Sequence, residues 1–299
     1  MNESHGAEQM NKIYFLPLFC LIFLVSASVL AAAGPLRYFG QPSGAQVSNT
    51  PYGGNRAAGH YIQSGDAKIY YEIYGTGEPL FVFHGGGVGS PYELGQIIDQ
   101  LRDKYMVIVV SSRGHGHSEI GHTPISLQQK AEDMLAVMRK ITSKPASVIG
   151  FSDGAYTAYE LAASHPEAVE KLAAIGAGTL KPGFFPSSMP LSDLEKVDPT
   201  YVEQMRSLMP EPERLQEFLN DYMAFWNKTE IGKDLLSKIK CPVLLIGGDR
   251  DSHAPPETVI EAGIMLGNSR ICIVPDAGHA AFLDNFPVTW AAINQFFTK

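Results

Sequence analysis

The sequence predicts an α/β protein with a mostly parallel, doubly wound sheet and a helical insertion. Short apolar runs alternate with longer segments of helical period, and one stretch, Thr179–Lys240, contains no strand-like run. Runs this apolar indicate strands buried on both faces, as in a parallel sheet covered by helices. The 299 residues are 45% hydrophobic and 18% charged, which suits one large globular domain. The formal net charge is −8, whereas nucleic-acid-binding proteins normally have an excess of basic residues.

Residues 1–33 are predicted to be a signal peptide or an N-terminal anchor. The 21 residues from Ile13 to Ala33 are uncharged, Lys12 precedes them, and three alanines end them. A basic residue, an apolar run and a small-residue exit are typical of export signals, which favours cleavage near Ala33 and a periplasmic or secreted protein. A retained helix of this length would instead tether the protein to a membrane through residues 13–33.

Residues 34–58 are rich in Gly, Pro, Ser, Asn and Gln, which predicts a linker or a loosely held arm. The regular domain, residues 59–299, opens with a predicted hairpin whose turn is Ser64–Asp66. Further strands are predicted at Leu80–Phe83, Met106–Val110, Ala146–Ile149, Leu172–Ile175, Val243–Ile246 and Arg270–Val274. Helices are predicted at Tyr92–Leu101, Leu127–Ile141, Ala155–Ser164, Pro256–Met265 and Val288–Phe297, with Tyr201–Leu208 and Glu213–Phe225 inside the insertion.

The strongest chemical motif is the pentapeptide Gly-Phe-Ser-Asp-Gly centred on Ser152. It lies between a predicted strand and a predicted helix, where a G-x-S-x-G sequence forces a sharp turn that exposes the serine. Glycines at both ends remove the Cβ atoms that would clash in such a turn. The alternative is a surface turn with a capping serine, but the flanking strand and helix favour a nucleophile at Ser152.

A nucleophilic serine needs a base that is held by a third group. His279 follows the last predicted strand, which places it at the carboxyl edge of the sheet beside Ser152. Asp249 and Asp251 both follow the preceding strand and both qualify by position as the acid; we select Asp251 and keep Asp249 as the alternative. Asp276 is a weaker candidate, because it lies too close in sequence to His279 to reach the far side of the imidazole.

A loop that reads His-Gly-Gly-Gly, from His84, follows the third predicted strand. Glycines allow backbone N–H groups to approach a ligand closely. We therefore expect the backbone N–H groups of Gly86 and Asp153 to bind the oxyanion of an acyl-transfer intermediate. A phosphate-binding loop is disfavoured, since neither a Walker lysine nor a G-x-G-x-x-G motif is present.

Taken together, these motifs resemble the α/β-hydrolase superfamily, over about residues 61–297. The resemblance also rests on the Arg-Gly-His-Gly-His-Ser stretch from Arg113, although Ser111 stands where the family usually has an Asp. It implies a helical cap at about 179–240 and, through the Gly-x-x-Asp pattern after the penultimate strand, supports Asp251 as the acid. It further implies a Ser152–His279–Asp251 triad and hydrolysis of carboxylic esters through an acyl-enzyme.

Other residues are interpreted more conservatively. The cysteines that follow the N-terminal segment, Cys241 and Cys272, read as buried thiols, with a disulfide left open. No metal or cofactor is predicted, because three loop histidines lack a carboxylate or cysteine at ligand spacing. The side chain of Asp153 reads as free, favouring the helix dipole or contacting a cationic substrate group. Phe151 and Trp226 are candidate substrate-binding residues, although core packing is the commoner role. The three histidines are His115, His117 and His122.

The sequence therefore predicts a serine hydrolase whose partner is a small-molecule ester and whose oligomeric state is undetermined. Two other readings stay open. A cofactor-free perhydrolase or a carbon–carbon bond hydrolase would use the same three side chains, and a non-catalytic binding relative would have the same fold. The presence of Ser152, Asp251 and His279 together argues against the non-catalytic reading.

Overall fold

The structure is a computed structural model and describes residues 35–298. The predicted signal peptide or anchor, residues 1–33, lies outside the described residues. In the described part of the chain, no helix has both the length and the apolar character needed to cross a membrane.

Eight strands form a single sheet in the order β1-β2-β4-β3-β5-β6-β7-β8. The first two strands form the predicted hairpin, and β2 runs antiparallel to β4; every pairing from β4 to β8 is parallel. The mostly parallel sheet is therefore confirmed. The strands are β1 (Gly59–Ser64), β2 (Ala67–Tyr74), β3 (Pro79–Phe83), β4 (Met106–Val110), β5 (Ala146–Phe151), β6 (Val169–Ile175), β7 (Val243–Gly248) and β8 (Ser269–Val274).

Within residues 35–298, ten α-helices connect and cover these strands. The helix expected from Tyr92 opens instead with a 3₁₀ turn at Pro91–Leu94, because the proline supplies a fixed φ but no N–H donor. The helices are α1 (Gly95–Leu101), α2 (Leu127–Ile141), α3 (Asp153–Ser164), α4 (Leu191–Val197), α5 (Pro199–Leu208), α6 (Leu215–Lys228), α7 (Lys233–Leu236), α8 (Pro256–Met265), α9 (Ala281–Asp284) and α10 (Phe286–Phe297).

The apolar strands bury both faces of the sheet, which produces two hydrophobic clusters. One cluster contains Met134 of α2 and Tyr159 of α3, and the other contains Ile98 of α1 and Ile293 of α10. Cys241 and Cys272 are unpaired and partly buried, and they pack against different clusters, so no disulfide joins them. Helices on both faces make the sheet doubly wound, as predicted.

The chain between β6 and β7 forms four helices, α4 to α7, and we call residues 176–242 the β6–β7 insertion. Helix α6 has the strongest amphipathic pattern there, and its apolar side chains at i, i+3, i+4, i+7 and i+11 are buried against the rest of the domain. The short helices α4 and α7 were not expected from the sequence, because seven and four residues are too few to show a helical period. The buried side chains on that face of α6 are Leu215, Phe218, Leu219, Tyr222 and Trp226.

Residues 35–58 differ from the loosely held arm that their composition predicts. Tyr52 is fully buried, and the carboxylate of Glu72 accepts hydrogen bonds from two backbone N–H groups of the segment, at 2.8 and 2.6 Å. Arg37 forms an ion pair of 2.9 Å with Asp198 of the β6–β7 insertion. A polar segment can be held in place when its backbone groups find buried acceptors, and composition alone does not show those acceptors.

Candidate active site

Ser152 lies in a strained turn between β5 and α3. Its φ and ψ are 50° and −117°, a conformation that an L-residue rarely adopts. The flanking glycines make the turn possible. A Cβ at Gly150 would lie 2.6 Å from the Cα of Ala155, and one at Gly154 would lie 2.4 Å from the carbonyl oxygen of Phe83. The turn leaves Ser152 partly exposed at the carboxyl edge of the sheet.

His279 joins Ser152 to Asp251. Its Nε2 atom lies 2.9 Å from the Oγ of Ser152, and its Nδ1 atom lies 2.9 Å from Oδ2 and 3.1 Å from Oδ1 of Asp251. Asp251 follows β7 and His279 follows β8. Because β5, β7 and β8 are parallel, their carboxyl ends meet at one edge, and three residues distant in sequence come into hydrogen-bond contact there.

The carboxylate of Asp251 is buried and well supplied with donors. Besides the ring of His279, its Oδ1 atom accepts the backbone N–H groups of His253 at 2.7 Å and Ala254 at 3.0 Å. Burial opposes ionisation, but the hydrogen bonds and the charge of His279 outweigh it and hold the pKa of Asp251 below its usual value. The carboxylate is thus kept charged and oriented toward the imidazole.

The other two acidic candidates point elsewhere. Asp249 is exposed, and its carboxylate accepts the backbone N–H of Ala277 at 3.1 Å, which lowers its pKa. Asp276 forms an exposed ion pair with Arg250. Neither carboxylate contacts His279 in the described structure, so Asp251 alone of the three has the geometry of an imidazole partner.

Two backbone N–H groups close to Ser152 have no hydrogen-bond acceptor in the described part of the chain. In residues 35–298, those of Gly86 and Asp153 donate to no protein acceptor. The two residues are close neighbours, since a Cβ added at Gly86 would lie 2.7 Å from the Cβ of Asp153 and 1.9 Å from the hydroxyl of Tyr222. A side chain at position 86 would therefore clash, and only glycine leaves this approach open.

A buried carboxyl group that the sequence did not reveal holds the glycine loop. Oε1 of Glu93, in the 3₁₀ turn before α1, accepts the backbone N–H of Gly85 at 2.9 Å. Burial raises the pKa of Glu93 to about 8, although hydrogen bonds from the backbone of Gly85 and Ser90 oppose the rise. Beside it, the buried ring of His84 accepts the backbone N–H of Ser112 at 2.9 Å through Nε2. The only sequence signal for Glu93 was a charged residue within an apolar helical segment.

The histidines of the following loop have structural contacts. His115 is buried, its Nδ1 lies 3.1 Å from the carbonyl oxygen of Arg113, and burial lowers its pKa to about 4. His117 contacts the carbonyl oxygen of Leu208 at 2.7 Å. His122 is exposed, and its backbone N–H binds Asp66. The rings of His115 and His117 therefore pack against loop backbone, whereas the contact of His122 is made by its backbone N–H.

The side chain of Asp153 is not free, which corrects the sequence-based expectation. It is buried, its Oδ2 atom lies 2.6 Å from the ammonium of Lys130, and its Oδ1 atom accepts the indole N–H of Trp226 at 3.1 Å and the hydroxyl of Tyr222 at 3.3 Å. The expectation failed because Lys130 is 23 residues away on α2 and reaches Asp153 only when α2 packs beside α3.

Phe151 and Trp226, the candidate substrate-binding residues, are both buried. The ring of Phe151 packs beside that of His279, with centroids 5.0 Å apart, and against Phe282 at 4.9 Å. Trp226 contacts the turn between β5 and α3 at Ser152, which we call the elbow, through its hydrogen bond to Asp153. Each residue therefore borders the site and also supports it.

One further histidine, absent from the sequence-based reasoning, lies at the site. The ring of His253 is exposed and lies 4.8 Å from that of His279 between centroids, and partial desolvation followed by the charge of His279 lowers its pKa. In the described chain, Asp251, His253 and His279 offer ligand atoms within 4.8 Å of one another, a spacing that a metal ion could use. Both oxygens of Asp251 already accept hydrogen bonds, which fits an imidazole-orienting role better.

Comparison with known proteins agrees with this architecture. Residues 78–216 match the family model of the alpha/beta hydrolase fold. Among curated proteins, the uncharacterized hydrolase YraK of Bacillus subtilis is 32% identical over 110 residues, which cover 36% of this chain and 40% of that protein. The AB hydrolase superfamily protein YisY of the same organism is 26% identical over 265 residues, covering 80% of this chain and 98% of that protein.

A further curated relative is 2-hydroxy-6-oxo-6-(2'-aminophenyl)hexa-2,4-dienoic acid hydrolase of Metapseudomonas resinovorans. It is 22% identical over 250 residues, covering 75% of this chain and 86% of that protein. Among solved structures, a serine hydrolase involved in carbazole degradation, the CarC enzyme, superposes with a TM-score of 0.68 at 18% identity and covers 80% of this chain and 98% of its own. The sheet order, the match over residues 78–216 and these likenesses agree: the chain has the alpha/beta hydrolase fold, and its residues 78–216 match the model of that family.

Proposed function

We propose that this protein is a serine hydrolase that cleaves carboxylic esters of small or medium size through an acyl-enzyme. One observation carries the proposal: the imidazole of His279 bridges Ser152 and Asp251 with contacts of 2.9 Å on both sides. A serine hydroxyl is a weak nucleophile, and a base that is itself held by a carboxylate activates it.

In this mechanism, Ser152 attacks the ester carbonyl while His279 takes the hydroxyl proton through Nε2. Asp251 accepts the hydrogen bond from Nδ1–H, which fixes the tautomer and stabilises the imidazolium. His279 then gives its proton to the departing alcohol. Water then attacks the acyl-enzyme while His279 takes a proton from that water. His279 returns this proton to the Oγ of Ser152 as the acid leaves. The geometry of the three side chains supports each proton transfer.

The oxyanion that forms at the carbonyl would be bound by the N–H groups of Gly86 and Asp153. Both donors lack a protein acceptor in the described structure, and both belong to residues that lie close together beside Ser152. One such donor contributes roughly 3 kcal/mol to transition-state stabilisation. The buried carboxyl of Glu93 would keep this loop in place through Gly85.

The β6–β7 insertion would act as a cap that forms part of the substrate pocket. Two side chains of α6, Tyr222 and Trp226, reach the residue that follows the nucleophile, Asp153. A helical segment attached directly to the elbow is well placed to shape the acyl or alcohol pocket. The position of α6 supports contact between this segment and the substrate.

The test is Ser152→Ala, assayed with p-nitrophenyl esters of short acids. We expect kcat to fall by about 10⁶-fold, since only binding and the oxyanion donors would remain. Fluorophosphonate labelling should be lost in parallel. Ser164→Ala, at the exposed end of the same helix, is the matched control and should keep both signals. Ester turnover that survives in Ser152→Ala would contradict the assignment.

A carbon–carbon bond hydrolase is the second candidate, and the likeness to the dienoic acid hydrolase of M. resinovorans favours it. The same triad could serve that reaction or a cofactor-free perhydrolase. The wild-type protein should be offered p-nitrophenyl esters, a vinylogous diketone acid and, separately, peroxide together with a carboxylic acid, a halide and an organic acceptor of the halogen. Dominant diketone cleavage would replace the ester proposal by carbon–carbon hydrolysis, and peroxide-dependent halogenation would indicate a perhydrolase.

We further propose that residues 1–33 direct export, with membrane anchoring as the alternative. The support is the sequence pattern alone: Lys12, the uncharged run from Ile13, and the alanines that end at Ala33. N-terminal sequencing of exported protein checks this. Cleavage near Ala33 supports a signal peptide, whereas an intact N-terminus in the membrane fraction supports an anchor.

A further inference from the structure

An ion pair lies buried directly behind the proposed oxyanion site. Lys130 and Asp153 have side chains that are 7% and 1% exposed, and Nζ lies 2.6 Å from Oδ2. Buried lysines are rare unless paired, because removing an ammonium from water is costly. On α2, Lys130 shares the core-facing side with Met134 and Val137, at i+4 and i+7. A cation at such a position calls for an explanation beyond packing.

Lys130 is the one cation within hydrogen-bond reach of the Asp153 carboxylate in residues 35–298. The other oxygen, Oδ1, accepts from Trp226 and Tyr222, and both of these donors are neutral. Burial, followed by the nearby charge of Asp153, raises the pKa of Tyr222 well above its usual value, so its hydroxyl remains a donor. Without Lys130, the negative charge of Asp153 would thus have hydrogen bonds but no counter-ion.

The position of this charge matters because the backbone and the side chain of Asp153 have different roles. Its backbone N–H is a proposed oxyanion donor, while its carboxylate lies only a few bonds away. A negative charge so close opposes a developing oxyanion, and the opposition is strong where water is excluded. When an ammonium compensates the charge of this carboxylate, the repulsion of the oxyanion is removed. Oδ1 can still accept the hydrogen bonds from α6.

We propose that Lys130 is a positioning residue that compensates the charge of Asp153, so that this residue can offer its N–H to an oxyanion. The inference rests on the proposed function. It also gives Asp153 a role other than receiving a cationic substrate group, since an ammonium from the protein already occupies that place.

The test is a double-mutant cycle of Lys130→Met and Asp153→Asn, with kcat and KM measured separately on p-nitrophenyl esters. Lys130→Met leaves an unpaired negative charge, so kcat should fall by about 100-fold, the scale of one lost oxyanion donor, with KM changed less than about threefold. Asp153→Asn leaves no negative charge and should lose less. The double variant should recover at least about tenfold of the kcat lost in Lys130→Met.

The matched control is Arg113→Met. Arg113 forms a similarly buried ion pair with Asp133, at 2.9 Å and with side chains 6% and 2% exposed. Arg113→Met should lower the melting temperature, as we also expect of Lys130→Met. It should change kcat less than about fivefold, since no oxyanion donor belongs to Asp133. Circular dichroism of each variant establishes that the kinetics report on folded protein.

Equal kcat losses in the two single variants, or no recovery in the double variant, would overturn the inference. If Lys130→Met does not fold, the double variant decides: a kcat within about tenfold of wild type supports charge compensation, and a larger loss rejects it. Failure of the proposed function is separate, since it would appear as ester turnover that survives in Ser152→Ala.

Discussion

Two buried carboxylates flank Ser152, and they differ in their partners. Asp251 is paired with His279, whose imidazole can gain and lose a proton, and with two backbone N–H groups. Asp153 is paired with the ammonium of Lys130 and with two neutral donors from α6. Both side chains are nearly inaccessible to solvent. Burial alone therefore does not set the role of a carboxylate beside Ser152.

In the proposed mechanism, one carboxylate belongs to the reaction cycle and the other to the framework. The charge of Asp251 would stabilise His279 when the imidazole is protonated, so this interaction would strengthen in the transition state. In the inferred role of Lys130, the pair with Asp153 would stay the same before and after attack and would keep the local charge balanced. We expect substitutions at the two positions to differ both in size and in which kinetic constant they change.

Among substitutions of these carboxylates, the largest expected effect is that of Asp251→Asn. An amide can hold the imidazole in the wrong tautomer, and kcat on esters should fall by about 10⁴-fold at neutral pH. Asp249→Asn is the matched control, because Asp249 is exposed and contacts only the backbone of Ala277; its kcat should stay within about threefold. A larger loss at position 249 would transfer the acid role to Asp249.

Glu93 is a third buried carboxyl group near the site, and it differs from the other two because its hydrogen-bond donors are backbone N–H groups. Since burial raises its pKa to about 8 from 4.5, the folded protein keeps a proton that the unfolded chain releases. The stability that this proton contributes is complete below about pH 4.5 and is lost as the pH rises toward 8. Glu93→Gln cannot ionise and can still accept the N–H of Gly85.

Unfolding in denaturant at several pH values measures this effect. Between pH 5 and 8, the stability of Glu93→Gln relative to wild type should increase by up to about 1.4 kcal/mol per pH unit. Near pH 4 the difference should level off, because both states of the wild-type chain then carry the proton. Parallel pH profiles for the two proteins would show that Glu93 is ionised in the folded state at neutral pH.

Sequence reasoning reached the residues whose signal is local. Ser152 lies in a pentapeptide whose neighbours are a strand and a helix, and His279 follows the last strand, so both positions follow from chain order and parallel topology. The choice between Asp249 and Asp251 was harder, because it depends on the path of the turn after β7. The backbone N–H of Asp249 still bonds to Val274 of β8, and only two residues later does the side chain face His279.

The partners of Asp153 could not be predicted in the same way. Lys130, Tyr222 and Trp226 lie on α2 and α6, and their contacts depend on how those helices pack. One clue was present, since Lys130 falls on the apolar face of α2, where a cation indicates a buried counter-ion. Nothing in the sequence indicated which carboxylate it meets, because that pairing is set by the approach of α2 to α3.

The smallest expected effect concerns the bond between the β6–β7 insertion and Asp153. Tyr222→Phe removes a hydroxyl that lies 3.3 Å from Oδ1, while the indole N–H of Trp226 still bonds to the same oxygen. Loss of one such bond costs about 1 kcal/mol, so kcat should fall by about two- to fivefold and the melting temperature by about 2–4 °C.

Tyr105→Phe is the matched control. The hydroxyl of Tyr105 makes a 3.5 Å contact with the carbonyl oxygen of Phe297, at the far side of the sheet. Its removal should leave kcat and the melting temperature near those of wild type. A Tyr222→Phe loss as large as that of Asp251→Asn would mean that the Tyr222 hydroxyl, and not only the backbone, contacts the reacting oxygen. The proximity of that hydroxyl to the position a Cβ would take at Gly86 makes this the outcome that would most change the proposed oxyanion site.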